Sequence, residues 1–180
     1  NSTNEDTTLT VLAADGVLKN DSDVDGDVIN VTGFVVSGTP YLAGETATIT
    51  EGTIKINSDG SYTYVPATNF NGSVPQATYT ITDGVLTTTA NLNITVNPIN
   101  DSPVAVADTG STNEDVALAV NATNGLLNND SDPENNAISL TQFTVNGTTY
   151  TAGTTVTLTQ GVLWVSSSNF LYNFRWNKYR

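Results

Sequence analysis

The sequence predicts an all-β protein built from tandem Greek-key β-sandwiches. Three observations carry this prediction: the apolar residues come in strand-length runs, no segment has a helical period, and the chain repeats itself after about 100 residues. Thr, Val, Ile and Tyr dominate the apolar runs, and these β-branched or aromatic residues suit a pleated, half-buried surface. The period matches one sandwich domain rather than a short solenoid repeat.

Turn residues divide the first copy of the repeat into predicted strands. The pairs Asp59-Gly60 and Asp83-Gly84 each predict a hairpin, because both residue types adopt the backbone conformations of tight turns. Between the hairpins, threonine alternates with apolar residues, which indicates a half-buried strand. The predicted strands lie near residues 7–12, 28–36, 46–50, 53–57, 61–65, 76–82 and 85–96.

The two copies of the repeat define the predicted domains. Residues 2–58 align with 111–167 without a gap, and the motif STNED opens both segments. The domains are therefore predicted to be residues 1–101 and 102–180.

Both copies are expected to be incomplete. The apolar segment 103–110 is predicted to be the first strand of the second copy, and the first copy is expected to lack its counterpart. The second copy is expected to be truncated at its C-terminus, where the basic tail 169–180 is atypical of the repeat. No signal peptide is present and the chain begins at Asn1 rather than Met, so it is interpreted as an internal fragment of a longer protein.

Composition excludes several classes of function. The net charge is -13 with only five Lys and Arg residues, so the chain lacks the cations that nucleic acids and anionic membranes require. There is no Cys and no His, which excludes disulfides, zinc sites and Ser/His or Cys/His nucleophiles. No apolar run approaches the ~20 residues that span a bilayer. An enzyme is not expected, and the acidic balance favours a protein that gathers cations.

An acidic loop in the first copy is the clearest candidate for chemistry. Asp21, Asp23, Asp25 and Asp27 alternate with other residues, and calcium prefers such clusters of hard oxygen ligands. Three of these acids and the following glycine match the start of an EF-hand loop, but its closing glutamate and flanking helices are missing. The loop is thus predicted to bind calcium on a β scaffold. The alternative is a solvated turn held by local bonds from side chain to backbone.

The second copy repeats this loop with fewer acids. Asp130, Asp132 and Glu134 remain, while the glycine and the fourth acid are lost, so weaker binding by this loop alone is expected. A Glu-Asp pair also precedes a strand in each copy, at Glu5-Asp6 and at Glu114-Asp115. Either pair could be only a polar turn, but its return at the same repeat position favours a role as ligand.

The linker 97–103 is polar, with Pro at both ends. It is either a stiff spacer or a source of interdomain ligands. If each domain is an Ig-like sandwich entered at one pole and left at the other, acids of both domains are expected to converge on this linker. The expected ligands there are Glu5, Asp6, Asn100, Asp101, Asp130 and Asp132. The same argument places Asp83 near the loop that contains Asp21–Asp27.

Four segments together resemble the cadherin-like, VCBS-type repeats of large RTX adhesins. They read NEDTTLTVLAADGVLKNDSDVDGD, GTIKINSDGSYTYVP, YTITDGVLTTTANLNITV and NPINDSPVAVADT. The resemblance implies Ig-like or cadherin-like sandwiches that calcium rigidifies into a spacer. It also implies type I secretion to the surface of a Gram-negative bacterium, and a role in cell adhesion and biofilm formation.

The resemblance extends to individual residues. Asn100 and Asp101 carry over the core of the cadherin linker pattern D-x-N-D-N, Asp130 and Asp132 match the cadherin Asp-x-Asp pair, and Glu5 is similar to the early cadherin glutamate. Altogether, the candidate calcium ligands are Glu5, Asp6, Asp21, Asp23, Asp25, Asp27, Asp83, Asn100, Asp101, Glu114, Asp130, Asp132 and Glu134. The expected partners are calcium ions and neighbouring repeats of the same chain.

A glycan-binding sandwich of the same adhesin is the main alternative function. Such a site would need an exposed aromatic platform, and Trp164 and Trp176 are the only tryptophans.

Overall fold

The computed structural model describes residues 1–113, 116–159, 161–167 and 172–175. These residues form strands and loops, with single turns of 3-10 helix at Ala13–Asp15 and Ala122–Asn124. The predicted all-β class is confirmed. The chain divides into two compact units, Asn1–Ile99 and Asn100–Arg180.

The first unit contains strands β1 to β11, and most of them follow the alternation of apolar and polar residues. The predicted strands reappear with small shifts at their ends, and three short strands are added that the alternation did not indicate. The strands are β1 (Ser2–Asn4), β2 (Leu9–Val11), β3 (Asn30–Val36), β4 (Thr39–Leu42), β5 (Thr46–Ile49), β6 (Gly52–Ile56), β7 (Tyr62–Pro66), β8 (Gly72–Ser73), β9 (Ala77–Thr82), β10 (Thr87–Leu92) and β11 (Thr95–Asn97).

Three sheets assemble these strands. The two larger sheets have the orders β10-β9-β3-β4 and β2-β7-β6-β5, and all their pairs are antiparallel. A smaller sheet has the order β1-β11-β8, in which β1 runs parallel to β11. The predicted single strand 85–96 is therefore two strands, because β10 pairs with β9 whereas β11 pairs in the smaller sheet.

The core of the first unit is formed by the inward residues of these strands. In β7 and β9, alternate residues are buried, as the period of two in a strand requires. Tyr62 and Tyr64 of β7 are among the most buried side chains, and the Tyr64 hydroxyl donates to the Glu51 carbonyl at 2.6 Å. Burial of these large aromatic side chains contributes strongly to the stability of the unit.

The second unit repeats part of this arrangement. Its described strands are β12 (Leu118–Val120), β13 (Gln142–Val145), β14 (Thr148–Thr151), β15 (Thr155–Leu158), β16 (Gly161–Trp164) and β17 (Tyr172–Arg175). They form a sheet of order β12-β17-β16-β15 and a separate β13-β14 hairpin. The predicted first strand over residues 103–110 does not form. In that segment, Val104 makes an isolated bridge with Ser131.

Strand β17 lies in the sequence tail that breaks the repeat pattern. It pairs with β12 and β16, as β7 pairs with β2 and β6 in the first unit. In the second unit, Leu118 pairs with Phe174 and Val120 pairs with Tyr172. The equivalent pairs in the first unit are Leu9 with Tyr64 and Val11 with Tyr62. The Tyr-x-Phe pattern of the tail thus takes the place of the Tyr-x-Tyr pattern, one residue later in the repeat.

Buried apolar side chains of the second unit include Val156, Leu163 and Val165. Phe143 stacks on Tyr150 across the β13-β14 hairpin, with ring centroids 5.7 Å apart. None of the helices that the structure describes has the length and apolar character needed to cross a membrane.

Candidate metal centres

The loop at Asp21–Asp27 follows the 3-10 turn of the first unit and leads into β3. Asp23 organises the loop, because its Oδ1 accepts hydrogen bonds from the backbone N–H of Asp25 at 2.8 Å and of Asp27 at 3.2 Å. Gly26 has a φ of +82°, which glycine adopts without steric cost. Asp25 and Asp27 are exposed, whereas Asp21 and Asp23 are half-buried.

Asp21 has a partner that the sequence did not indicate. The Tyr79 hydroxyl of β9 lies 2.9 Å from Asp21 Oδ2 and 3.0 Å from the Val17 carbonyl. Burial, followed by the bond to Asp21 and its negative charge, raises the pKa of Tyr79 to about 12. The phenol therefore stays protonated and anchors the start of the acidic loop to the core.

Asp83 lies beside this loop. It occupies the turn between β9 and β10, and its Oδ1 accepts from the backbone N–H groups of Val85 at 2.6 Å and Leu86 at 2.7 Å. These two bonds lower the pKa of Asp83 below its usual value. Asp83 and Asp23 line the same surface cavity, with apolar side chains such as Ile81. The structure thus brings Asp83 and one loop acid to the same end of the unit.

Glu5 and Asp6 follow β1. Glu5 is 4% exposed, its N–H donates to the Asn97 carbonyl at 2.9 Å, and its Oε1 accepts from the N–H of Ile99. Asn71 donates to Glu5 Oε2 at 3.5 Å. Glu5 is therefore a buried carboxylate that holds the end of the first unit in place.

Asp6 adopts a left-handed backbone with φ +54°, and its Oδ1 accepts from Asn69 N–H at 3.1 Å. Its side chain is exposed. The two members of the Glu-Asp pair therefore have different surroundings, although they are adjacent in sequence.

In the second unit, the segment that begins at Asn100 is bound to the loop at 130–136. Val104 and Ser131 exchange backbone hydrogen bonds of 2.7 and 3.0 Å, and Asp130 Oδ1 accepts from Val106 N–H at 2.8 Å. Asp132 Oδ1 accepts from two backbone N–H groups of its own loop, in the same way as Asp23 in the first unit. The loop and this segment therefore form one acidic surface within the unit.

Among the described residues, the carboxylate of Asp101 carries the unsatisfied oxygen of this surface. The Asp101 N–H donates to Glu134 Oε2 at 3.0 Å, and carboxylate oxygens of the two residues lie within 4.8 Å of each other. Asp101 Oδ2 is buried and, among the described residues, has no hydrogen-bond partner. A buried carboxylate oxygen without a donor, close to a second carboxylate, is costly unless a cation neutralises it.

Asparagines complete this surface. Asn136 Nδ2 donates to Asn100 Oδ1 at 3.0 Å, and Asn100 Nδ2 donates to the Asp101 carbonyl at 2.9 Å. Asn136 was not among the predicted ligands, but it stands at the repeat position of Asp27. The repeat alignment therefore contained the signal that could have indicated it.

Glu114, the remaining predicted ligand, lies outside the described residues.

The two tryptophans give little support to the alternative function of glycan binding. Trp164 is half-buried and its indole Nε1 donates to the Gly153 carbonyl at 3.0 Å, and Trp176 lies outside the described residues.

Comparison with known protein families covers nearly the whole chain. The model of the bacterial cadherin-like domain matches residues 1–98, and the model of the bacterial Ig domain matches residues 100–174. No curated protein matches the chain. Domains of these two families are typical of extracellular or surface proteins and are generally structural or adhesive modules rather than catalysts. Cadherin-like domains generally bind calcium.

Proposed function

The chain belongs to the bacterial cadherin-like domain family, and on this premise we propose that it forms calcium-rigidified extracellular spacer repeats of a bacterial surface adhesin. The proposal includes a role in cell adhesion and biofilm formation at the surface of a Gram-negative bacterium. Its type I secretion would follow from the similarity to VCBS-type repeats of RTX adhesins. The chemistry of the acidic surfaces supports the calcium part of the proposal.

The observation that carries the proposal is Asp101 Oδ2, which is buried near the Glu134 carboxylate and has no hydrogen-bond partner in the part of the chain that the structure describes. The available ligand atoms are carboxylate, carboxamide and carbonyl oxygens. A ligand set made only of oxygen atoms favours calcium over transition metals. Asn100, Asp101 and Glu134 would hold an ion in the second unit, with Asp130 and Asp132 close by in the same loop.

The first unit offers two further candidate positions. Asp23 and Asp83 line one cavity, and Asp21, Asp25 and Asp27 belong to the loop beside it. Glu5 and Asp6 stand at the end of β1, where Glu5 contributes a buried carboxylate. We propose these acids, together with Glu114, as additional calcium ligands.

Calcium would act mechanically in this proposal. An ion held by Asp101 and Glu134 would fix the segment 100–106 on its loop, which leaves less of the linker free to bend. Extracellular sites bind calcium with Kd of ~0.1–1 mM, and free calcium at ten times Kd would add roughly 1.4 kcal/mol per ion. A few ions would therefore contribute a large part of the stability of a small domain.

Thermal unfolding with and without calcium tests the proposal. We expect calcium at millimolar concentration to raise the Tm by several degrees, and excess chelator to reverse the rise, because the folded state alone presents the assembled ligands. Magnesium at the same concentration is the control, since it needs a stricter octahedral geometry. Equal Tm values in calcium and chelator, with no heat of binding in a calcium titration, would contradict the proposal.

A further inference from the structure

Strand β13 of the second unit has one edge that no other described strand covers, here called the open edge. Among the residues that the structure describes, β13 pairs only with β14, in the register Phe143 with Tyr150 and Val145 with Thr148. An unpaired strand edge presents a row of backbone N–H and C=O groups that can accept another strand.

The first unit shows which strand covers the same edge there. Residues 33–36 of β3 and 39–42 of β4 stand at the repeat positions of β13 and β14, and the pair Phe34–Tyr41 repeats as Phe143–Tyr150. In the first unit, β3 pairs with β4 on one side and with β9 on the other. The open edge of β13 is thus equivalent to the edge of β3 that pairs with β9 in the first unit.

The apolar residues at these repeat positions are more buried in the first unit, where β9 covers the edge, than in the second unit. Phe34 and Val36 of the first unit are 2% and 1% exposed. Their repeat partners Phe143 and Val145 are only partly buried, although both belong to the apolar cluster of the second unit. A covering strand would remove this apolar surface from water, and that burial favours its addition.

The direction of the backbone groups shows which residues would accept the strand. Ala152 N–H donates to the Thr141 carbonyl at 3.0 Å, so Thr141 faces β14. Because alternate residues of an antiparallel strand face opposite neighbours, Gln142 and Thr144 present their backbone groups to the open edge.

We propose that the open edge of β13 is a strand-accepting site for an extended segment with the sequence pattern of β9. Such a segment alternates apolar residues with threonine, as Ala77, Tyr79 and Ile81 alternate in β9. It would run antiparallel to β13. In the register of the first unit, the residue equivalent to Tyr79 lies opposite Phe143 and the one equivalent to Ala77 lies opposite Val145.

The side chains along β13 also favour a strand with the pattern of β9. Phe34 pairs with Tyr79 and Val36 pairs with Ala77 in the first unit, and the second unit keeps both Phe and Val at these positions. The large aromatic residue of the incoming strand therefore meets the aromatic Phe143, and the small one meets Val145. The backbone hydrogen bonds provide affinity and this alternation provides specificity, as in other cases of β-strand addition.

Binding of a peptide tests the proposal. A fluorescently labelled peptide of residues 75–84 is titrated against the full chain, with a scrambled peptide of the same composition as the reference. We expect saturable binding of the native peptide and at least ~tenfold weaker binding of the scrambled one, since scrambling destroys the alternation that places apolar residues on one face.

Two proline variants provide a matched pair. Thr144→Pro removes a backbone donor from the open edge, whereas Thr149→Pro changes β14 on its outer edge, where the first unit carries Pro40 at the repeat position. Both variants lose the same hydrogen bond of 3.0 Å between the Thr144 and Thr149 hydroxyls. We expect Thr144→Pro to weaken peptide binding ~tenfold or more and Thr149→Pro to leave it unchanged.

Amide hydrogen exchange on the unmodified chain gives a second readout that needs no variant to fold. The proposal requires the amides of Gln142 and Thr144 to become protected when the peptide binds. Equal loss of binding in the two proline variants, equal binding of both peptides, or unchanged exchange at these amides overturns it. A concentration-dependent dimer that forms without peptide and that Thr144→Pro dissociates would also overturn it, because β13 of a second copy would then be the occupant.

Discussion

Asp21 and Asp101 were both predicted as calcium ligands, but the folded chain gives them different surroundings. Asp21 Oδ2 lies 2.9 Å from the hydroxyl of Tyr79, a residue 58 positions away in sequence. Asp101 Oδ2 is buried without a partner among the described residues, and Glu134 brings a second carboxylate close to it. The first acid therefore contributes to the fold without a metal, whereas the second raises the energy of the ion-free state.

Replacing Asp101 by Asn tests this distinction. Asp101→Asn removes one ligand charge and also the repulsion between Asp101 and Glu134. We expect the affinity for calcium to fall by about tenfold or more, and the rise in Tm on adding calcium to shrink accordingly. Calcium titration calorimetry and thermal unfolding measure both effects.

Asp15→Asn is the matched control for this experiment. Asp15 is exposed and its partner is Lys19, at 2.6 Å, in a surface salt bridge of the kind that contributes little to stability. The control removes the same charge from the chain without touching a proposed ligand. If both variants reduced calcium binding equally, general charge rather than Asp101 would be responsible.

Hairpins are the elements that the sequence predicts best. Asp59-Gly60 joins β6 to β7, and Asp83-Gly84 lies between β9 and β10, as the Asp-Gly signal indicated. In each turn the aspartate accepts backbone N–H bonds, and these bonds are among the causes that lower its pKa. Turn chemistry acts over four or five residues, so the local sequence is sufficient to specify it.

The turn at Asp83 predicts a pH dependence. Its lowered pKa means that Asp83 stabilises the fold above the pKa of the unfolded chain, near 3.8, and that this stabilisation disappears as the pH falls through the lower folded pKa. We expect the Tm of Asp83→Asn to fall less between pH 5 and about 3 than that of the unmodified chain. Circular dichroism measures both melting curves, and parallel curves would show that the turn does not titrate with folding.

At the scale of the whole molecule, the described parts of the two units differ in how much apolar surface they bury. The core of the first unit includes inward residues of β9, β10 and β11, such as Tyr79, Leu92 and Val96. The buried core that the structure describes in the second unit is Val156, Leu163 and Val165. Because burial of apolar side chains is the main stabilising contribution, the second unit is expected to be the less stable one.

Fluorescence can separate the two units. Both tryptophans, Trp164 and Trp176, belong to the second unit, so tryptophan emission reports on that unit alone. We expect the emission to change at a midpoint ~5 °C or more below the main transition in far-UV circular dichroism, which monitors the strands of both units. Coincident midpoints would show that the units unfold together.

The sequence by itself determined the all-β class, the turns at the Asp-Gly pairs, the repeat and the acidic character of the loops. These features depend on alternation and turn chemistry, which act between residues close in the chain. Only the tertiary structure decided that β1 runs parallel to β11, that Tyr79 holds Asp21, and that Asp101 Oδ2 is buried with no partner among the residues described. Each of these depends on residues that are far apart in sequence and meet only when strands pair and loops pack, so no local pattern could indicate them.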